Sequence, residues 1–159
     1  MRRYLNRSLV AAAVILAAGC NLDVGSPNGT PSDPSSETFN LNFNGTPVDV
    51  AKMQKTAAGD YYTDVAVGTG VAVNLGVGQQ AFISFAGYLK TGYQFVRVVN
   101  TLTALNNLPA GLVDGMSGMR EGGERIVVVP SSLGYGPAPQ PFVPPNSTLV
   151  FDVIINQVP

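Results

Sequence analysis

Histidine and tryptophan are absent from the chain, cysteine occurs once, and only 12% of the residues carry charge. Without histidine, imidazole bases and histidine-based metal sites are excluded. A single cysteine excludes an intrachain disulfide. No apolar run is long enough to cross a bilayer: the longest, residues 9–18, reaches about half of the roughly 20 residues that a spanning helix needs.

That short run is flanked in a telling way. Arg2, Arg3 and Arg7 precede it, and Gly19 and Cys20 follow it, the three-part layout of a secretory signal. Leu16-Ala17-Ala18-Gly19-Cys20 resembles a bacterial lipobox, in which the cysteine thiol is acylated before cleavage. The expectation is a signal peptide over residues 1–19 and a lipid anchor on Cys20, leaving the rest extracytoplasmic in the cell envelope. Asn21, rather than Asp, after the cysteine favours the outer membrane if the host is Gram-negative. Loss of the signal removes three of nine basic residues and none of the ten acidic ones, a mature net charge of −4. A chain of that sign is not expected to bind nucleic acid.

Residues 20–47 are rich in Gly, Ser, Pro, Thr and Asn, a composition that reads as a flexible tether. From residue 48 to 159 the apolar content and length fit one small domain. Period-2 alternation predicts strands at Leu149, Phe151, Val153 and Ile155, and at Ala81, Ile83 and Phe85. Two shorter candidates are Arg125 to Val129, stopped by Pro130, and Tyr61 to Val67. Leu112, Val113, Met116 and Met119 fall at helical spacing, with Gly115 and Gly118 keeping that helix short. One short helix among several strands predicts an α+β fold, an antiparallel sheet wrapped around the helix.

Several phrases in this domain, in order, resemble the FKBP-type peptidyl-prolyl cis/trans isomerases. They are Ile83-Ser84-Phe85-Ala86-Gly87-Tyr88-Leu89 with Thr91-Gly92-Tyr93-Gln94-Phe95; Gly111-Leu112-Val113-Asp114-Gly115-Met116 with the glycine-rich turn up to Arg125; Pro130-Ser131-Ser132-Leu133-Gly134-Tyr135-Gly136; and Val143-Pro144-Pro145-Asn146-Ser147-Thr148-Leu149-Val150-Phe151-Asp152-Val153. The resemblance implies a cofactor-free, metal-free enzyme acting on proline-containing polypeptide segments. It implies that the proline ring sits among Phe85, Phe95, Leu108, Leu112, Val143 and Phe151, with the Tyr135 hydroxyl donating to a substrate carbonyl. The chemistry suits an apolar site, because rotation about X-Pro faces a barrier of about 18–20 kcal/mol from amide resonance and needs no nucleophile.

Three positions depart from the family pattern. Val96 follows Phe95 where the family usually has aspartate, Leu112 replaces an aromatic at the pocket floor, and Pro109 stands where the family offers a backbone N–H. Two functions therefore fit: an isomerase assisting the folding of exported proteins, its activity reduced by Val96, Pro109 and Leu112, or a binding and chaperone-like lipoprotein using the same cleft. A third, structural reading would dock a partner on the loop Pro137-Ala138-Pro139-Gln140-Pro141-Phe142.

Overall fold

The computed structural model describes residues 33–159 apart from Val77. The expected signal peptide, Cys20 and the first part of the expected tether lie outside the described residues. The first strands among the described residues form a short hairpin, β1 (Asn42–Phe43) and β2 (Thr46–Pro47), turned by Asn44 and Gly45 at φ 50° and 88°. Then follow β3 (Gln54–Lys55), β4 (Tyr61–Ala66), β5 (Gln80–Leu89), β6 (Gln94–Ala104), α1 (Ala110–Gly115), β7 (Glu124–Val129) and β8 (Leu149–Gln157). Strands β3 to β8 form one antiparallel sheet in the order β3-β4-β7-β8-β5-β6. This is the expected α+β arrangement, with one α-helix among the described residues.

Both faces of the sheet are covered. On the face beneath α1, Ile83, Leu112, Met116, Val127, Val129, Leu149, Phe151, Val153 and Ile155 form the larger core. On the opposite face Ile126, Val128, Val150 and Tyr61 pack with Phe43, Val48 and Val50, and Phe39 and Leu41 lean on them. Strand β7 is therefore buried on both sides, which explains why Ile126 to Val129 is a continuous apolar run rather than an alternation.

Of the tether expected over residues 20–47, the described part, residues 33–47, is folded against the sheet. From Asp33 onward the chain packs on the sheet, so the domain does not begin at Val48. Tyr61 Oη donates to Asp33 Oδ1 at 3.0 Å, Thr148 Oγ1 to Glu37 Oε1 at 2.8 Å, and Asn40 N to Lys90 O at 3.1 Å. The polar composition misleads because the few apolar residues, Phe39, Leu41 and Phe43, are spaced two apart and share one face.

Two polar clusters fix α1. Arg125, 6% exposed, donates through Nη1 to Gly115 O and Ser117 O, both at 2.8 Å, and pairs through Nε with Asp64 Oδ1 at 2.7 Å. A cation there satisfies carbonyls left open at the helix C-terminus. Gly115 lets the helix lie directly on Val127, since a Cβ would collide with Val127 Cγ1.

Asp60, fully buried just before β4, accepts from Thr56 Oγ1 at 2.6 Å, and its Oδ2 has no hydrogen-bond donor among the described residues. Burial, and after it the adjacent Asp114 carboxyl of α1, push Asp60 up to about 6. Between about pH 4 and 6 the folded chain alone holds this proton, so stability falls as pH rises through that window and stays low above it. Asp60→Asn is expected to raise the melting temperature at about pH 7.5, by on the order of 2 kcal/mol of stability, and to leave it nearly unchanged at about pH 4. Part of the wild-type pH slope remains in that variant, because burial likewise pushes Asp152 up to about 6. Melting curves across this range check it; an equal shift at both pH values contradicts it.

Candidate functional site

The long strand β6 was not anticipated from the sequence, and it builds one wall of the site. Its pairing with β5 slips by one residue between Gly87↔Val96 and Tyr88↔Gln94, so Phe95 is the extra residue of a β-bulge. Bulges turn a side chain out of the regular alternation. Here the bulge aims the Phe95 ring at Phe151 and Tyr135.

Four rings meet edge to face. Phe151 lies 6.3 Å from Phe85 and 6.0 Å from Phe95, and Phe95 lies 6.4 Å from Tyr135, with interplanar angles of 64°, 81° and 73°. Such pairs add about 0.5–1.5 kcal/mol each beyond area burial, which holds the walls in place. Phe151, Leu112 and Val143 are buried; Phe85, Phe95, Val96, Leu108 and Tyr135 are half-buried around them. Of the residues expected at the site, these eight belong to one apolar cluster. Leu108 also lines a shallow depression on the flank of α1 with Leu75, Ala110 and Val113.

Pro109 occupies the N-cap of α1, outside that cluster; its carbonyl accepts from Leu112 N and Val113 N at 3.0 and 3.1 Å. Having no N–H, it offers a ligand no donor.

Gly87 is the residue that sequence reasoning passed over. A Cβ on it would sit 2.7 Å from Phe95 Cζ, 2.7 Å from Val96 Cγ1 and 2.8 Å from Phe151 Cε1. The signal was a lone glycine inside a strand, which marks close approach of a neighbour.

Tyr135 is held by its loop. Gly136, at φ 59°, takes a turn that favours glycine; Gly136 N donates to Ser131 O at 2.9 Å, and Asn146 N to Gly136 O at 2.7 Å. The phenol makes no hydrogen bond to another described residue, and burial raises its pKa above the ordinary 10.0. It is thus a neutral donor over the whole physiological range, carried on a ring that packs against Phe95. The described residues hold no group of three or more potential metal ligands. Such a site can bind a small apolar ring and donate one hydrogen bond; it contains no nucleophile–base pair.

Comparison with known proteins places this geometry. The pattern of one family, FKBP-type peptidyl-prolyl cis-trans isomerase, matches residues 72–156. The FK506-binding protein of Neisseria meningitidis serogroup B is 31% identical over 88 residues, 51% of this chain and 81% of that protein. FkpA of Escherichia coli K12, an FKBP-type peptidyl-prolyl cis-trans isomerase, is 43% identical over 54 residues, 34% of this chain and 20% of FkpA. The crystal structure of E. coli FkpA superposes with a TM-score of 0.62 at 30% identity, over 67% of this chain and 51% of that one. The chain therefore spans a fifth to a half of FkpA.

Proposed function

Because this chain belongs to the FKBP-type peptidyl-prolyl cis-trans isomerase family, we propose that it catalyses cis/trans rotation of X-Pro bonds in polypeptide segments. The observation that carries the proposal is the meeting of Phe85, Phe95, Phe151 and Tyr135 edge to face in one apolar cluster, with a hydroxyl that bonds to no other described residue. A planar X-Pro amide is charge-separated, and the twisted transition state is less so. A dry recess therefore disfavours the ground state more than the transition state, while Tyr135 fixes a neighbouring carbonyl as the bond turns. No proton is transferred, and each step needs only binding and orientation. Tyr135→Phe is expected to slow catalysed exchange of a Leu-Pro peptide about tenfold. Equal rates for variant and wild type would remove Tyr135 from the site.

A binding-only, chaperone-like role has its own support in Val96 and Pro109, which place no polar group beside the turning amide. Val96 is half-buried between Gly87 and the aromatic wall. Val96→Asp is expected to raise the exchange rate by about tenfold, the worth of one hydrogen bond made in the transition state. No gain would show that Val96 lies off the reaction path.

The same proposal stations the domain outside the cytoplasm, attached by lipid on Cys20, acting on exported chains. It rests on the signal-like residues 1–19 and on a mechanism that requires neither ATP nor a cofactor. Metabolic labelling with a fatty acid, lost in Cys20→Ser, tests the anchor; label retained in that variant contradicts it.

A further inference from the structure

The two edges of the sheet are unlike. At one edge β3 is two residues long and carries Lys55, whose Nζ lies 3.6 Å from Asp33 Oδ2 and 4.8 Å from the centroid of the Tyr61 ring. Short, charged edges resist pairing with another chain. At the other edge β6 runs eleven residues, hydrogen-bonds to β5 on one side only, and contains a single charge, Arg97, and no proline. Among the described residues no further backbone group pairs with its outer side.

Two bulges divide this edge. Phe95 is the first; the second lies between Ile83↔Thr101 and Phe85↔Val98, where Asn100 takes φ 41° and donates its N–H to Ser84 Oγ at 2.9 Å. Beyond it, Thr101 Oγ1 and Thr103 Oγ1 donate to Val99 O and Thr101 O, both at 3.0 Å, and occupy those carbonyls. The stretch left regular and open is Val96 to Val98, with Val99 62% exposed at its end. It starts at the residue that follows Phe95 in the wall of the proline site.

From this placement we infer that the outer edge of β6 at Val96–Val98 is a second docking surface, which binds client residues flanking the proline as a short added β-strand. The inference rests on the proposed binding of X-Pro segments. Its occupant is an extended polypeptide continuous with the segment in the site. The residue before a proline is restricted to extended backbone, so a client held there already has strand geometry at that point. Pairing then becomes intramolecular, and a few hydrogen bonds suffice. Pro109, at the start of α1, has no N–H to give, so the β6 edge supplies amides that the client backbone can use. A second copy of this chain fits less well, because the bulges at Phe95 and Asn100 interrupt the long register that β6 against β6 would need.

The test uses the full-length chain and two Leu-Pro peptides, one of about four residues and one of about ten with uncharged flanks, the longer also N-methylated at alternate flanking amides. The longer peptide is expected to bind about tenfold more tightly than the shorter, to lose that gain on N-methylation, and to slow amide exchange in Val96–Val99. Equal affinities with unchanged exchange there overturn the inference, even if both peptides are isomerised. Slowed exchange with no isomerisation upholds the docking surface and overturns the catalytic proposal instead. Slowing of the same amides without peptide, rising with protein concentration, would assign the edge to a second copy and overturn the inference.

Discussion

A chain beginning at Val48 is expected to melt about 15 °C or more below the full-length protein. Removing residues 33–47 deletes Phe43, 9% exposed, together with Phe39 and Leu41, and uncovers Tyr61, Val128 and Val150 on the outer face of the sheet. Burial of large apolar side chains contributes about 1.5–3 kcal/mol each, so the deletion costs roughly 4–6 kcal/mol, a large share of the stability of a domain this size. The bonds from Asp33 to Tyr61 and from Glu37 to Thr148 go with it. At several degrees per kcal/mol the shift is easily read by circular dichroism. Equal melting temperatures would mean that the segment merely rests on the sheet.

Gly87→Ala is expected to lower catalysed exchange by about ten- to a hundredfold while the protein still folds. The new methyl would stand under 3 Å from Phe95, Val96 and Phe151 at once. All three sit in the wall of the site, so relief of the clash moves the aromatic rings apart. Overpacking of this kind costs about 1–3 kcal/mol of stability, less than the domain has. Displacement of a positioning group by about 1 Å costs up to about a hundredfold in rate. Exchange measured well below the melting temperature separates the two effects. A variant with wild-type exchange would show that the rings are not the catalytic surface.

How far the sequence told these things depends on the residue. Strand β8 was readable because Leu149, Phe151, Val153 and Ile155 face α1 while Asp152 and Ile154 face the other way. Strand β6 was hidden because its two bulges break the period of two, at Phe95 and Asn100, where the alternation would otherwise be read. The segment after Asp33 was hidden by its composition, since Phe39, Leu41 and Phe43 are diluted by Ser, Asn, Thr and Pro. The helical spacing from Leu112 to Met119 proved longer than the helix, which ends at Gly115 with Met116 as its C-cap.

At the site, the aromatic residues were legible through the family phrases, and the rings of Phe85, Phe95, Tyr135 and Phe151 meet edge to face. What no phrase conveyed is why they converge. Gly87 supplies the space, the Phe95 bulge supplies the direction, and the Gly136 turn presents Tyr135. Each of these is a backbone property whose consequence depends on a partner distant in sequence.

Two-dimensional NMR exchange on a Leu-Pro peptide, with catalytic amounts of the full-length chain, reads whether this aromatic cluster turns X-Pro bonds. Uncatalysed interconversion takes tens of seconds. Cis–trans cross-peaks are expected to build up within about a second and to build up about ten- to a hundredfold more slowly in Gly87→Ala. A peptide that binds with its exchange unchanged at high protein concentration would contradict that role.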